Sequence, residues 1–458
     1  MLKILLTGTS IAALAAPLAA QTVIDDERTT PVVTSELANG AGDDLVIEDD
    51  GSIELDSGTA VTIDTDNDVE NDGEITVTDD DGANGILVSG DRAANIVNSG
   101  TITIDETFMP EDDDDDGDLD GPFAVGANRA GIRVDGALEG NIEHTGEIVV
   151  EGEDSFGIVI EGPLDGTLRH DGETSVLGDR SVGVSAQDIS GDVRLAGEIE
   201  AVGEDARGAE FLGNIDGALV IQGEISATGY RATEAPDDTS DLDADDLLQG
   251  GSAVSIEGDV AQGIIFAVAP ANTDPDDADE DDDGIPDAEE GSAEITSFGS
   301  APAVSLGSAA NDITISAGDA TGDDFAIIID GEISGQGVYE GVDAAGMQIG
   351  GFGAVVTIEE GMQVNGTIEA IARDASATAL RVGQANLLPV VQVSLPELEN
   401  TGTIEARAVG EDAETATAIA IESGSNLPIL RNSGTINAVT ANDEGSATAI
   451  VDRSGSLG

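Results

Sequence analysis

The chain contains no cysteine and no tryptophan, and aromatic residues make up only 2% of it. Without cysteine it has no disulfides. An exported form is then held by extended packing, or crosses a further membrane where a cross-link would obstruct passage, or simply has no need of cysteine. With so few rings, any core is filled by Ile, Val, Leu and Ala, which suit a narrow, repetitive interior better than an irregular globular one. Lysine occurs once, at Lys3, and 15 basic residues face 95 acidic ones for a net charge of −80. That excess argues against nucleic-acid partners and anionic lipid surfaces, whose phosphates it would repel. It favours divalent cations, high salt or simple colloidal solubility. No stretch approaches 18 unbroken apolar residues, so no helical membrane anchor is expected. A Gly-x-Ser-x-Gly elbow and a Lys-containing phosphate loop are also absent.

What is present begins with an export signal. Met1-Leu2-Lys3 gives a short positive start, Ile4 to Leu18 an apolar run, and Ala19-Ala20 a small-residue cleavage site. The reading is a signal peptide over 1–20, a linker or cap over 21–48, and one repetitive unit over 49–458. After cleavage 14 arginines face 95 acidic residues, a net charge of −81.

The repeat is read from four glycines. Thr145-Gly146-Glu147-Ile148, Asp171-Gly172-Glu173-Thr174, Ala196-Gly197-Glu198-Ile199 and Gln222-Gly223-Glu224-Ile225 place them 26, 25 and 26 residues apart. Eleven residues after each of the first three comes a second segment, Gly157 to Ile160, Gly183 to Ala186 and Gly208 to Phe211. A third apolar segment closes each unit, as in Leu164 to Leu168, Ile189 to Val193 and Ile215 to Leu219. Three short alternating segments per turn, separated by Gly or Asp corners, predict a three-sided, right-handed parallel β-helix of stacked coils. About 400 residues at about 25 per turn predict on the order of 15 turns. Alternation sets Ile158 and Ile160 on one face and Val159 on the other, without saying which is inward. Helical repeats are excluded, because the glycines would break them.

Three acidic insertions keep the phase: 105–126, 231–250 and 272–291. The first two carry surpluses of 20 and 19 residues over the normal spacing, so they read as loops bulging from corners. Upstream and downstream, Ser99-Gly100-Thr101-Ile102, Asn365-Gly366-Thr367-Ile368, Thr401-Gly402-Thr403-Ile404 and Ser433-Gly434-Thr435-Ile436 continue the repeat.

These motifs, following a signal peptide in a chain without cysteine, resemble the passenger domains of bacterial autotransporters over roughly residues 50–458. The resemblance implies export through the periplasm and outer membrane, an extracellular or cell-surface location, and an adhesive or structural role toward a surface or matrix ligand. It also implies a C-terminal outer-membrane barrel, whose amphipathic ten-residue strands with aromatic girdles are missing here. The repeat runs up to Gly458, so the expected reading is a fragment of a longer protein, or else release or retention at the surface by another route.

The sharpest candidate site is Asp279-Glu280-Asp281-Asp282-Asp283-Gly284-Ile285-Pro286-Asp287-Ala288-Glu289-Glu290. Oxygen ligands fall at Asp279, Asp281, Asp283, Asp287 and Glu290, with the backbone carbonyl of Ile285 between them and Gly284 at the sharp turn. That is the spacing of a twelve-residue Ca²⁺ loop, in which a hard cation takes six to eight oxygens. Its Asp-Gly-Ile-Pro-Asp core resembles thrombospondin type 3 calcium repeats; the bland alternative is a solvated acidic loop. Asp112, Asp114, Asp116, Gly117 and Asp120 repeat the first part of the pattern, but Phe123 stands where the last carboxylate belongs. Asp241, Asp243 and Asp245 lack the glycine and read as a charged loop.

His144 and His170 could form a metal pair. Each, however, sits two residues before its repeat glycine, where other units carry Asn71, Asn98, Asn400 and Asn432. A stacked polar column explains all six. Catalysis finds little support, because the carboxylates lie in acidic runs with few arginines and no aromatic platform for a sugar. A non-catalytic protein is expected. The alternatives are a β-helical carbohydrate-active enzyme, a polysaccharide lyase or hydrolase using paired carboxylates, and a calcium-dependent surface-layer or matrix protein.

Overall fold

The computed structural model describes residues 21–112, 119–235, 242, 244–273, 285–287, 290–318, 320–322, 324–385, 392–411, 415–441 and 445–458. Three parallel sheets of 13 strands each run its length. The first extends from Thr22–Ile24 to Ile429–Asn432, the second from Glu27–Arg28 to Thr435–Thr440, and the third from Val32–Val33 to Ser446–Asp452. Each strand pairs with its counterpart one turn away, so the chain is a parallel β-helix of 13 turns. Thirteen described turns agree with the expected order of 15, the insertions and the longer late turns consuming the remaining residues. Gly366 to Gly402 takes 36 residues, for instance. Residues 21–48, expected as a linker or cap, hold the first described turn and the opening strand of the second: Thr22–Ile24 pairs with Leu45–Ile47, and Glu27–Arg28 with Ser52–Leu55. Among the described residues the coil therefore starts at Thr22.

Alternation decides the faces. In Glu147–Glu151 the pattern runs exposed, buried, half-buried, buried, half-buried, which turns Ile148 and Val150 inward. In Phe156–Ile160, Ile158 and Ile160 are 0% and 1% exposed and join the continuous apolar core, whereas Val159 lies outside it. Ile158 and Ile160 therefore face inward and Val159 outward.

Glycine shapes two corners. A Cβ on Gly100, Gly146, Gly172, Gly197 or Gly223 would overlap the carbonyl oxygen of the glycine one turn earlier, so this column lets the coil turn sharply and stack closely. A second column, Gly85, Gly131, Gly157, Gly183 and Gly208, leaves room for the methyl groups of Ile102, Ile148, Thr174, Ile199 and Ile225 on the second sheet. Where that column loses glycine it keeps small residues: Gly208 is followed by Ala253 and Ala303, the neighbours of the paired Val254 and Val304.

The third segment of each turn is itself bent. Leu138–Glu139 and Leu164–Asp165 belong to a narrow fourth ladder, which isolated bridges through Ile189, Ile215 and Val260 extend to Ile313–Ile315. Gly140, Gly166, Gly191 and Gly217 stack at the bend.

The first two insertions leave the corner between the second and third sheets, after Thr101–Asp105 and after Glu224–Thr228. The third leaves the corner between the first and second sheets, after Ile264–Phe266. The strands bracketing them stay in register with both neighbours, as Ala130 does with Asn84 and Phe156.

Candidate functional sites

The predicted Ca²⁺ loop is described only in part. Asp279, Asp281 and Asp283 lie outside the described residues, as do Glu280, Asp282, Gly284, Ala288 and Glu289. Ile285 is buried, and Asp287 accepts a hydrogen bond from Asn272 Nδ2 at 2.6 Å. Glu290 is half-buried where the loop rejoins the coil. Among the described residues no group of three or more His, Asp or Glu is arranged to hold a metal.

In the first insertion Asp114, Asp116 and Gly117 lie outside the described residues, while Asp112, Asp120 and Phe123 are inside them. Its neck is closed by a buried ion pair: Arg129 Nη1 donates to Glu106 Oε2 at 2.9 Å, with side chains only 2% and 3% exposed. Glu106 also accepts the backbone N–H groups of Val125 and Gly126, both at 2.7 Å, and Arg129 donates to the carbonyls of Asp80 and Glu151. Such a pair is stable only because its remaining donors and acceptors are satisfied.

The second insertion reaches the first. Arg231 donates to the carbonyl of Gly121 at 2.5 Å, pairs with Asp245 at 3.3 Å, and lies 4.7 Å from the Phe123 ring centre. Asp245 in turn accepts the Gly121 N–H at 2.7 Å. Asp245 thus joins two loops that are four turns apart along the coil, while Asp241 and Asp243 fall outside the described residues. Tyr339 adds a staple, donating to the carbonyl of Ala232 at 3.0 Å and packing edge-on against Tyr230.

The polar column is an interior ladder. Asn71, Asn98, His144 and His170 are each 0% exposed and lie in consecutive register on the first sheet. Asn71 Nδ2 donates to Asn98 Oδ1 at 2.7 Å, and Asn98 Nδ2 meets His144 Nδ1 at 3.0 Å. The two imidazole centres are 4.8 Å apart in an edge-to-face arrangement. Farther along, Asn400 Nδ2 donates to Asn432 Oδ1 at 2.7 Å. Both rings have their pKa lowered by burial, His170 well below the ordinary value. Two core imidazoles held neutral by burial link successive turns of the first sheet.

Sequence reasoning missed a site outside the coil. Register places Glu147, Glu173, Glu198, Glu224, Glu294 and Glu332 in one unbroken outward column on the second sheet, bounded by Thr101 and Thr367. Adjacent strands bring such carboxylates within about 4.8 Å per step. Beside them the first glycine column floors a groove of about 630 Å³, with Thr145, Asp171 and Ser292 on its other side. Burial, then the neighbouring Glu198, Glu294 and Glu200, push the Glu224 carboxyl up. Burial, then Glu369 and Glu294, do the same at Glu332. The signal was visible as Gly-Glu-Ile recurring with the period of the coil, but a repeated Glu reads as solvated until the stack is built.

Much of the remaining acid serves corners where the sheet ladders break. Asp68 accepts the Asn95 N–H at 2.7 Å, Asp188 the Asn214 N–H at 2.8 Å, and Asp179 the Glu204 N–H at 2.9 Å, each one turn on. These carboxylates replace missing backbone acceptors.

The class this geometry defines is a parallel β-helix with loop insertions. No family model, curated protein or solved structure matches the chain. No helix among the described residues is long and apolar enough to cross a membrane.

Proposed function

We propose that the chain is an exported, cell-surface β-helical scaffold with an adhesive or structural role, similar to an autotransporter passenger, that binds Ca²⁺ in an inserted loop. The observation that carries this reading is the repeated outward chemistry: one glutamate per turn beside a glycine-floored groove, over six consecutive strands. Identical groups repeated along a rod suit extended, multivalent contact with a surface or matrix ligand. General acid–base chemistry instead calls for two groups of separated pKa converging on one point. The leader at Met1 to Ala20 and the lack of cysteine support export.

Expression of the full sequence in a bacterial host tests it. The expected results are cleavage after Ala20, seen by mass spectrometry, and digestion of the coil by protease added to intact cells. An uncleaved chain confined to the cytosol would overturn the reading.

A calcium-dependent surface-layer or matrix protein is the second reading, favoured by the same glutamate column, which divalent ions could bridge between molecules. Light scattering that rises with Ca²⁺ and reverses with chelator distinguishes it.

A further inference from the structure

We propose that the stacked pair His144 and His170 makes this coil acid-labile at one defined place, so that its fifth and sixth turns loosen first when the pH falls below neutrality. The inference goes beyond the adhesive reading and does not depend on it.

As hydrogen-bonded, the pair offers no acceptor for a second ring proton. Asn98 Nδ2 can only donate, so His144 Nδ1 accepts from it and His144 Nε2 carries the hydrogen, which it donates to the carbonyl of Glu173 at 3.1 Å. His170 Nε2 bonds Thr174 Oγ1 at 2.8 Å, and Thr174 Oγ1 also approaches His144 Nε2 at 3.4 Å. His170 Nδ1 is buried without a partner. Protonating His144 would force Asn98 and then Asn71 to flip their amides. That would satisfy the new N–H but leave the charge uncompensated.

No carboxylate is turned toward the pair. On their own strands the charged residues are Glu143 and Arg169, and both alternate outward from Ile142 and Leu168. At the following corner, Asp171 is engaged by Arg169 and Arg194. On the second sheet Glu147, Glu151, Glu173, Glu198 and Glu200 stand on the outer face, opposite Ile148, Val150 and Ile199. One turn before His144 the charged residue of these two sheets is Asp105, and two turns before it Glu70 and Glu74 follow, again off the core face. Across the interior, Arg133 is the charged residue of the facing third-sheet strands Ala130–Val134, Phe156–Ile160 and Val182–Ala186, and it also points out. A buried imidazolium here would be an unpaired charge in an apolar core.

The sign is distinctive. An unfolded histidine takes its proton near pH 6.5, whereas burial holds these two below that, so the stability they contribute is lost progressively as the pH falls from 6.5. Across the rest of a chain carrying −80, acidification relieves repulsion and acts the other way.

The same column supplies the control. Asn71, Asn98, Asn400 and Asn432 occupy the equivalent position, so the double variant His144→Asn/His170→Asn replaces both rings with a side chain that the column already accepts. Hydrogen exchange on the full chain, corrected for intrinsic rates, is read at pH 7.5 and 5.5. In the wild type, protection of 142–151 and 168–177 should fall about tenfold per imidazole, on the order of a hundredfold together. The double variant should lose this dependence. If it does not fold, His170→Leu, which copies Leu195 one turn on, should remove about tenfold of the effect. An equal pH dependence in wild type and variant, or a loss of protection spread evenly along the coil, overturns the proposal.

Discussion

Gly172 stands directly over the carbonyl oxygen of Gly146, and a Cβ at Gly172 would overlap that oxygen. The contact recurs at each turn of the glycine column and sets how closely the coils stack there. Gly172→Ala should therefore cost at least about 1–3 kcal/mol, as overpacking a tight site does, by forcing backbone to shift. Denaturant melts check it. Ala293, the one alanine described in this column, lies where the third insertion rejoins the coil, and Ala293→Gly should change stability far less.

Ile158→Asp and Val159→Asp separate the two faces of one strand. Ile158 is wholly within the core, so an unpaired carboxylate there should abolish folding or cost several kcal/mol, on the order of 4. Val159 lies on the outer face, in register with Arg133 on one side and Ser185 on the other, so an aspartate gains a cation neighbour. Its cost should stay near about 1 kcal/mol. Equal losses in circular-dichroism melts would contradict the assignment of faces.

The coil was legible in the sequence because its signals are local and periodic. Gly146, Gly172, Gly197 and Gly223 mark a corner where a Cβ would strike the carbonyl one turn earlier, and the insertions preserve the count between corners. The start at Thr22 was not legible, since Thr22–Ile24, Glu27–Arg28 and Val32–Val33 are too short to show alternation. The fourth ladder was hidden inside segments such as Leu164 to Leu168, where Gly166 looks like one more turn residue. The glutamate column was visible only as a recurring Gly-Glu-Ile, which reads as solvated until the turns are stacked, and the Arg231 clasp joins residues four turns apart that no local pattern encodes.

Deleting Glu111 to Leu119 should leave the melting temperature nearly unchanged, because it spares the neck made by Glu106 and Arg129 and a long surface loop costs little to lose. Arg129→Met, in contrast, strands a buried carboxylate and should cost about 3–5 kcal/mol. A large loss on the deletion, or none for Arg129→Met, would show that the loop and not its neck holds the corner.

The glutamate column should store repulsion. The carboxyls of Glu224 and Glu332 are pushed up, so near their titration the native state binds more protons than the unfolded chain does. Stability from these groups consequently falls as the pH rises through that range and is lowest at neutral pH. Glu224→Gln should raise stability at pH 7 by a few tenths of a kcal/mol, about what like-charge neighbours on a sheet cost. The gain should shrink at 1 M salt, where the screening length is about 3 Å. Melts at low and high salt give the comparison, and a gain independent of salt would mean that burial of the carboxyl, and not repulsion between neighbours, sets it.

The loop from Asp279 to Glu290 should bind Ca²⁺, because its carboxylates repel one another strongly without a cation and fall at ligand spacing. Mg²⁺ should bind less well, since it sheds water reluctantly and demands a rigid octahedron. Glu290→Ala should weaken binding more than Glu289→Ala, only the twelfth position being placed to chelate with both oxygens. Asp287 is held by Asn272 at 2.6 Å, so Asn272→Ala should alter affinity by freeing or misplacing that carboxylate. Chelation should leave the β-helix intact, because the strands before and after the insertion, Ile264–Phe266 and Glu294–Phe298, are paired on both sides independently of it. Isothermal titration at moderate salt measures all of this. No saturable heat beyond acidic screening, or equal losses for Glu289→Ala and Glu290→Ala, would reduce the loop to solvated charge.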